Sequence, residues 1–163
     1  MRPAGLSLTG YLWCMSVIFR PARREDVPLI VAMLADDPIA AAREGDPQDE
    51  VYMTAFEAID RDPRQELVVA EADGRVVGTM QVTYIPGLSR RGGERALIEA
   101  VRVGASARGQ GLGRAMIRWA VDRARERGCR MVQLTSDKAR PDAHRFYTSL
   151  GFVDSHVGFK LAL

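Results

Sequence analysis

The sequence predicts an α/β (α+β) fold built on a mixed sheet, and three observations predict it. Apolar, β-branched runs alternate with segments of helical periodicity along the chain. Three strand-like runs follow one another between residues 66 and 103, joined by turn signals, which makes them antiparallel neighbours. An apolar run from Leu97 to Val103 then stops at Gly104 and gives way to a glycine-rich turn and a helical pattern ending at Gly128. At 163 residues the chain makes one domain with a proper core.

The elements follow in order. Val17–Arg20 reads as the first strand. Asp26 can cap a helix whose first turn suits Pro28, and Ile30, Met33 and Leu34 give it a buried face before Asp37-Pro38 ends it. Tyr52, Phe56 and Ile59 share a helical face, so a second helix runs from Glu50 to Asp60. Glu66–Glu71 and Arg75–Tyr84 are strands, with Ala72-Asp73-Gly74 as the hairpin signal. Pro86 to Gly93 is a loop rich in breakers that leads into a strand, Ala96–Val103. After the long helix come a strand, Cys129–Thr135, a short helix from Pro141, and a last strand, Val153 to Leu163. Residues 1–16 read as an extension ahead of a single domain at 17–163, with Met15 as a natural start.

Composition limits the function. The apolar share of 47% and charged share of 27% are ordinary for a soluble globular protein. A net charge of +2 is too small to argue for nucleic acid. The apolar stretch Leu6 to Val17 is too short to span a bilayer. Cys14 and Cys129 have no metal-ligand spacing and suit a reducing cytoplasm, so neither a disulfide framework nor a metal site is expected.

The chemistry concentrates at Arg108-Gly109-Gln110-Gly111-Leu112-Gly113-Arg114. A turn of this kind before a helix aims backbone N–H groups at one point, and the helix N-terminus adds about half a positive charge there. Glycines let a phosphate approach where a Cβ would collide. Arg108 and Arg114 flank the turn and can neutralise a polyanion. The physical reading is a pyrophosphate cradle; the competing one is a turn that only joins a strand to a helix. A Walker-type loop would need a Gly-Lys-Ser/Thr, and the dinucleotide fingerprint needs a different glycine register.

What fits is Arg-x-x-Gly-x-Gly. That pattern, with Ala143, Phe146, Tyr147, Gly151 and Phe152 following in order, resembles the GNAT superfamily of acetyl-CoA-dependent N-acetyltransferases. The specific part of the resemblance covers Ile98 to Phe152. It implies a strongly twisted sheet of about six to seven strands with helices on both faces, and acetyl transfer to a primary amine (a small amine or a peptide) by direct attack in a ternary complex. It also implies a bulge in the strand before the turn, where the backbone of Val101, Arg102 and Val103 takes the pantetheine arm and polarises the thioester carbonyl. The backbone of Gly109, Gln110, Gly111, Leu112 and Gly113, between Arg108 and Arg114, would hold the pyrophosphate.

Tyr147 matches the family tyrosine that serves as general acid, since a phenol can protonate a thiolate and stays protonated at neutral pH. The other reading of Tyr147 is a core aromatic beside Phe146. Glu99 interrupts an apolar strand and is the best-placed general base if buried; a salt bridge, or water-relayed deprotonation without a dedicated base, competes. Arg140 stands where many relatives have an asparagine on the pantetheine arm, and is expected to bind phosphate instead.

Charge is distributed unevenly. Residues 25–62 are strongly acidic and 102–145 basic, which suits an anionic carrier on one side and a cationic amine on the other, or else solvated helix faces. The acceptor site would be built from the first two helices, the Pro86 to Glu94 loop and the C-terminal strand, and the apolar last strand is placed to pair across a homodimer. A non-catalytic acyl-CoA-binding regulatory module is the alternative from a different class, with a nucleotide-binding domain behind it.

Overall fold

A computed structural model describes residues 16–38 and 41–163. The expected extension, residues 1–14 with Met15, lies outside the described residues. The first strand, β1 (Val17–Pro21), leads through a 3-10 turn into α1 (Val27–Ala35) and then α2 (Glu50–Arg61). Three strands follow, β2 (Gln65–Ala72), β3 (Arg75–Ile85) and β4 (Arg95–Val103), with a four-residue turn α3 (Ser89–Gly92) between the last two. The chain closes with α4 (Leu112–Glu126), β5 (Met131–Leu134) and α5 (Pro141–Thr148).

The sheet has five strands in the order β1-β2-β3-β4-β5. The first four are antiparallel and β5 is parallel to β4. Asp73 and Gly74 form the β2–β3 hairpin, both at positive φ, the pairing that a two-residue turn with the twist of the strands requires. Asp26 does not cap α1 with its side chain; it accepts from Arg23 N–H at 2.7 Å and from the Arg20 guanidinium at 2.7 and 3.1 Å. Asp49 caps α2, accepting from Val51 N–H.

Two apolar layers sandwich the sheet. On one face Val68, Ala70, Met80, Val82, Tyr84, Ala96 and Ile98 meet Leu112, Met116, Ile117, Ala120 and Ala124 of α4. Those five helix positions lie on one side of a 3.6-residue repeat, which turns the α4 arginines outward. On the other face Val69 packs with Ala22, Ile30 and Met33, and with Phe56 of α2.

The expected last strand does not form. Residues 153–163 carry no strand, so the sheet has five strands rather than six or seven. A strand exists only by pairing, and among the described residues, 153–163 make no ladder. No helix among the described residues is long and apolar enough to cross a membrane.

Candidate active site

The site starts from an interruption in β4. Thr79 of β3 opposes Arg102, but Gln81 opposes Glu99, so Ala100 and Val101 together stand against Met80. That is a β-bulge, and it forces Ala100 to a left-handed φ of 53°. A non-glycine residue there costs about 1–2 kcal/mol, which the surrounding sheet must supply.

The parallel ladder ends at the same level. β5 pairs with Arg95, Ala96, Leu97 and Ile98 and goes no further, while β4 continues to Val103 against β3. The two strands part, and the β4 backbone on that side loses its strand neighbour. The carbonyls of Val101 and Val103 instead accept from Arg102 Nη1 at 2.9 Å and Arg108 Nε at 3.1 Å.

The parting leads to the glycine turn. Gly104 N–H donates to Val77 C=O at 2.8 Å, ending the strand. Gly109 and Gly111 take φ of 73° and 83°, the left-handed region that only glycine enters cheaply. Gly111 is the N-cap of α4 and contributes no side chain. Ala115 N–H closes on Gly111 C=O at 3.1 Å, so the N–H groups of the turn before it, through Leu112, Gly113 and Arg114, face out of the helix end. Leu112 is fully buried and pins that end to the core. At Gly113 a Cβ would meet Phe146 at 3.6 Å and Val103 at 3.8 Å, ordinary contact distances, so packing alone does not demand glycine there.

Side chains brace the turn on both sides. Gln110 Nε2 donates to Ser106 C=O at 2.8 Å. Arg108 Nη2 donates to Asp36 at 2.6 Å, and Arg114 Nη2 to Ser149 Oγ at 3.0 Å. Arg108 is exposed and Arg114 half-buried at the helix end.

Tyr147 lies in the apolar cluster that includes Val101 and Val103. Its ring meets Phe146 edge-on at 5.1 Å and Phe152 at 6.0 Å. Its hydroxyl makes no hydrogen bond among the described residues. Burial pushes the phenol above the ordinary tyrosine range, and the charges of Arg102 and Arg140 draw it partly back.

Two expectations change. Glu99 is exposed on β4, opposite Gln81, so the burial on which its reading as a base rested is absent. The bulge begins one residue later and does not turn Glu99 inward. Arg140 is engaged elsewhere: its Nη2 donates to Asp37, which also receives Arg102 Nη2 at 3.1 Å. Asp37 is 7% exposed and ties the end of α1 to β4 and to the start of α5. Sequence reading passed over it as a helix terminator, because nothing local marks a contact made 103 residues away. Arg102 Nε is buried with no acceptor. His144 and His156 are exposed, the first against Asp137 C=O at 2.8 Å and the second against Ser155 Oγ at 2.7 Å.

A sheet that splits beside a glycine turn and a helix N-terminus, with an unbonded phenol in the same apolar cluster, defines an acyltransferase. The chain belongs to the Acetyltransferase (GNAT) family, whose model matches residues 30–152. It is 32% identical over 114 residues to an aminoalkylphosphonate N-acetyltransferase of Salmonella typhimurium LT2, covering 70% of this chain and 73% of that protein. It is 33% identical to glucosamine 6-phosphate N-acetyltransferase 1 of Oryza sativa subsp. japonica over 112 residues, 67% of this chain and 66% of that one. Among solved structures, a protein described as a transcriptional regulator from Bacillus halodurans C-125 superposes with a TM-score of 0.88 at 46% identity, covering 91% of this chain and 100% of that chain.

Proposed function

We propose that this enzyme moves the acetyl group of acetyl-CoA to a primary amine by direct attack, with both substrates bound together. The observation that carries the reading is the parting of β4 and β5 at Ile98, which opens onto the left-handed turn at Gly109 and Gly111. The residues present fit the donor. β4 backbone without a strand neighbour, its Val101 and Val103 carbonyls held only by arginine side chains, suits an amide-bearing arm, and the N–H groups at the start of α4 suit a pyrophosphate. Arg108 and Arg114 exchange Asp36 and Ser149 for phosphate oxygens.

Catalysis in this reading is electrostatic and acid–base. Backbone donors at the bulge polarise the thioester carbonyl as the amine attacks. Tyr147 gives its proton to the leaving thiolate, for which a phenol kept neutral by burial is suited. Glu99, exposed near the bulge, receives the ammonium proton through water.

The acceptor is a small primary amine carrying an anionic group. Two arginines, Arg102 and Arg140, share the single carboxylate of Asp37, which leaves one positive charge in excess beside Tyr147. Arg102 Nε adds a donor without an acceptor. The names of the Salmonella and rice relatives both join an amine to a phosphorus acid. The cytoplasm is the compartment proposed, in keeping with the free thiol of Cys129.

Thiol release from acetyl-CoA across an amine panel tests this, with 2-aminoethylphosphonate, glucosamine 6-phosphate, ethanolamine and a polyamine in it. Release stimulated by the two phosphorus-bearing amines supports the reading. The description of the Bacillus halodurans neighbour favours a second reading, a regulatory module that binds acyl-CoA without turnover. Thermal stabilisation by coenzyme A with no release for any amine would establish that reading instead.

A further inference from the structure

By strand alternation Gln65 of β2, Thr79, Gln81 and Thr83 of β3, and Glu99 of β4 take the face of the sheet opposite α4, since Met80, Val82 and Ile98 pack on that helix. Arg102 joins them. Three residues separate it from Glu99, so in a regular strand the two would face opposite ways. Across the bulge, however, Glu99 opposes Gln81 and Arg102 opposes Thr79, and those partners are two residues apart. The bulge therefore brings the carboxylate and the guanidinium to one face, about 7 Å apart along the strand.

Gln81 is held in one orientation on this face. Its Nε2 donates to Gln65 Oε1 at 2.9 Å, and Thr83 Oγ1 donates to the same oxygen at 2.8 Å. Two donors fill that oxygen, so the NH2 side of the Gln81 amide is fixed toward β2 and its Oε1 turns away from β2. Among the described residues neither Gln81 Oε1 nor the Glu99 carboxylate receives a hydrogen bond. The two residues are directly opposed across the ladder, where Cβ atoms stand about 5 Å apart. Two acceptors at that separation repel each other unless a donor lies between them, and an ammonium brings three N–H groups.

We propose that Gln81 Oε1 and the Glu99 carboxylate together seat the ammonium of the acceptor, and that Gln65 and Thr83 are positioning residues that hold the Gln81 amide for it. The proposal rests on the acetyl-transfer reading and adds to it the seat of the reacting nitrogen. When the ammonium gives its proton to Glu99 through water, the neutral amine keeps an N–H on Gln81. That bond sets the direction of the nitrogen lone pair one residue from the bulge at Ala100. The anionic group of the same acceptor lies toward Arg102, so the spacing of about 7 Å along the strand favours a short linker between nitrogen and anion.

Thiol release tests the seat, with the amine of the panel above that gives the fastest release and with acetyl-CoA varied in turn. The chains are the wild type, Gln81→Met, Gln65→Met, Glu99→Gln, Gln81→Met/Gln65→Met and Gln81→Met/Glu99→Gln. Gln81→Met is expected to lower kcat/KM for the amine at least about tenfold, the size of a lost hydrogen bond to a charged group, largely through a higher amine KM. The KM for acetyl-CoA is expected to stay within about twofold. Gln65→Met is expected to lower the amine kcat/KM several-fold, and to add nothing once residue 81 is altered. Gln81→Met/Glu99→Gln is expected to lose less than the product of the two single losses, because both side chains hold one nitrogen. An unchanged amine kcat/KM in folded Gln81→Met overturns the proposal. So does a Gln65→Met loss that persists in full beside Gln81→Met, or a combined loss equal to the product. If Gln81→Met does not fold, Gln81→Asn, which keeps the amide but draws it back from the seat, takes its place with the same expectations. A wild type that releases no thiol with any amine brings down the acetyl-transfer reading and the seat together, whereas an active wild type beside an unaffected residue 81 variant removes the seat alone.

Discussion

Arg102 Nη2 lies 3.1 Å from Asp37 Oδ2, and this contact joins the end of α1 to the strand that carries the bulge. Arg140 holds the same carboxylate from the start of α5. Asp37→Asn removes the charge that both guanidiniums face and leaves two cations side by side. Stability is expected to fall by about 2–3 kcal/mol, between the value of a charged hydrogen bond and that of a buried pair. Urea unfolding measures it, and a loss within error would show that solvent already screens the cluster.

Tyr147→Phe keeps the ring and its contacts with Phe146 and Phe152 but removes the proton. Turnover is expected to drop more than about tenfold, within the range for a lost general acid, while acetyl-CoA binding stays as it was. Thiol release and calorimetry separate the two quantities. Equal turnover in the folded variant would assign Tyr147 to packing alone.

Glu99→Gln is expected to slow the reaction several-fold at neutral pH, with the deficit shrinking as pH rises. Alkaline solution supplies neutral amine without help from a carboxylate. Rate profiles of the two proteins should therefore converge at high pH; parallel profiles would remove Glu99 from proton transfer.

Gly111→Ala places a Cβ on a residue at φ 83° at the mouth of the turn. About 1–2 kcal/mol of stability is lost to the left-handed backbone. Coenzyme A affinity should weaken by more than about tenfold, because the added methyl also stands where a phosphate approaches. Titration calorimetry reads the affinity. Unchanged affinity would move the anion site away from this turn.

Tyr84 sits in the core with its hydroxyl on Glu66 Oε1 at 3.0 Å. Burial and the Glu66 charge raise its pKa well above the ordinary value of 10.0. The unfolded chain ionises first, so this contribution is intact below pH 10 and is lost as pH climbs toward the folded value. Unfolding free energies measured from pH 8 to 11 should fall more steeply for the wild type than for Tyr84→Phe.

Most of the elements and the glycine turn were legible because their signals are local. Gly109 and Gly111 announce a left-handed turn wherever they occur before a helical pattern, and the spacing from Arg108 to Tyr147 survives without coordinates. The cluster around Asp37 was not legible. Asp37 is read from its neighbours as the end of a helix, and only the fold brings Arg102 and Arg140 to it. The same folding reinterprets the charge asymmetry: Asp36 and Asp37 of the acidic half are partners of Arg108, Arg102 and Arg140 of the basic half, so part of what looked like substrate recognition is internal neutralisation. The exposure of Glu99 was not legible, because strand alternation fixes which face a residue takes but not whether a helix covers that face. The C-terminal segment has strand periodicity without a strand, since periodicity says nothing of which edge will receive it.

The bulge at Ala100 makes β4 a ruler. The register it sets is fixed by peptide planes, so the side chains of residues 100, 101 and 103 can change size within the limits of packing. The count of residues cannot change. One residue more or fewer between Ile98 and Arg102 would invert the pleat downstream, swing Arg102 away from Asp37 toward α4, and carry the glycine turn out of line with the gap. Substitution is forgiven here, whereas a shift of frame along the strand is not.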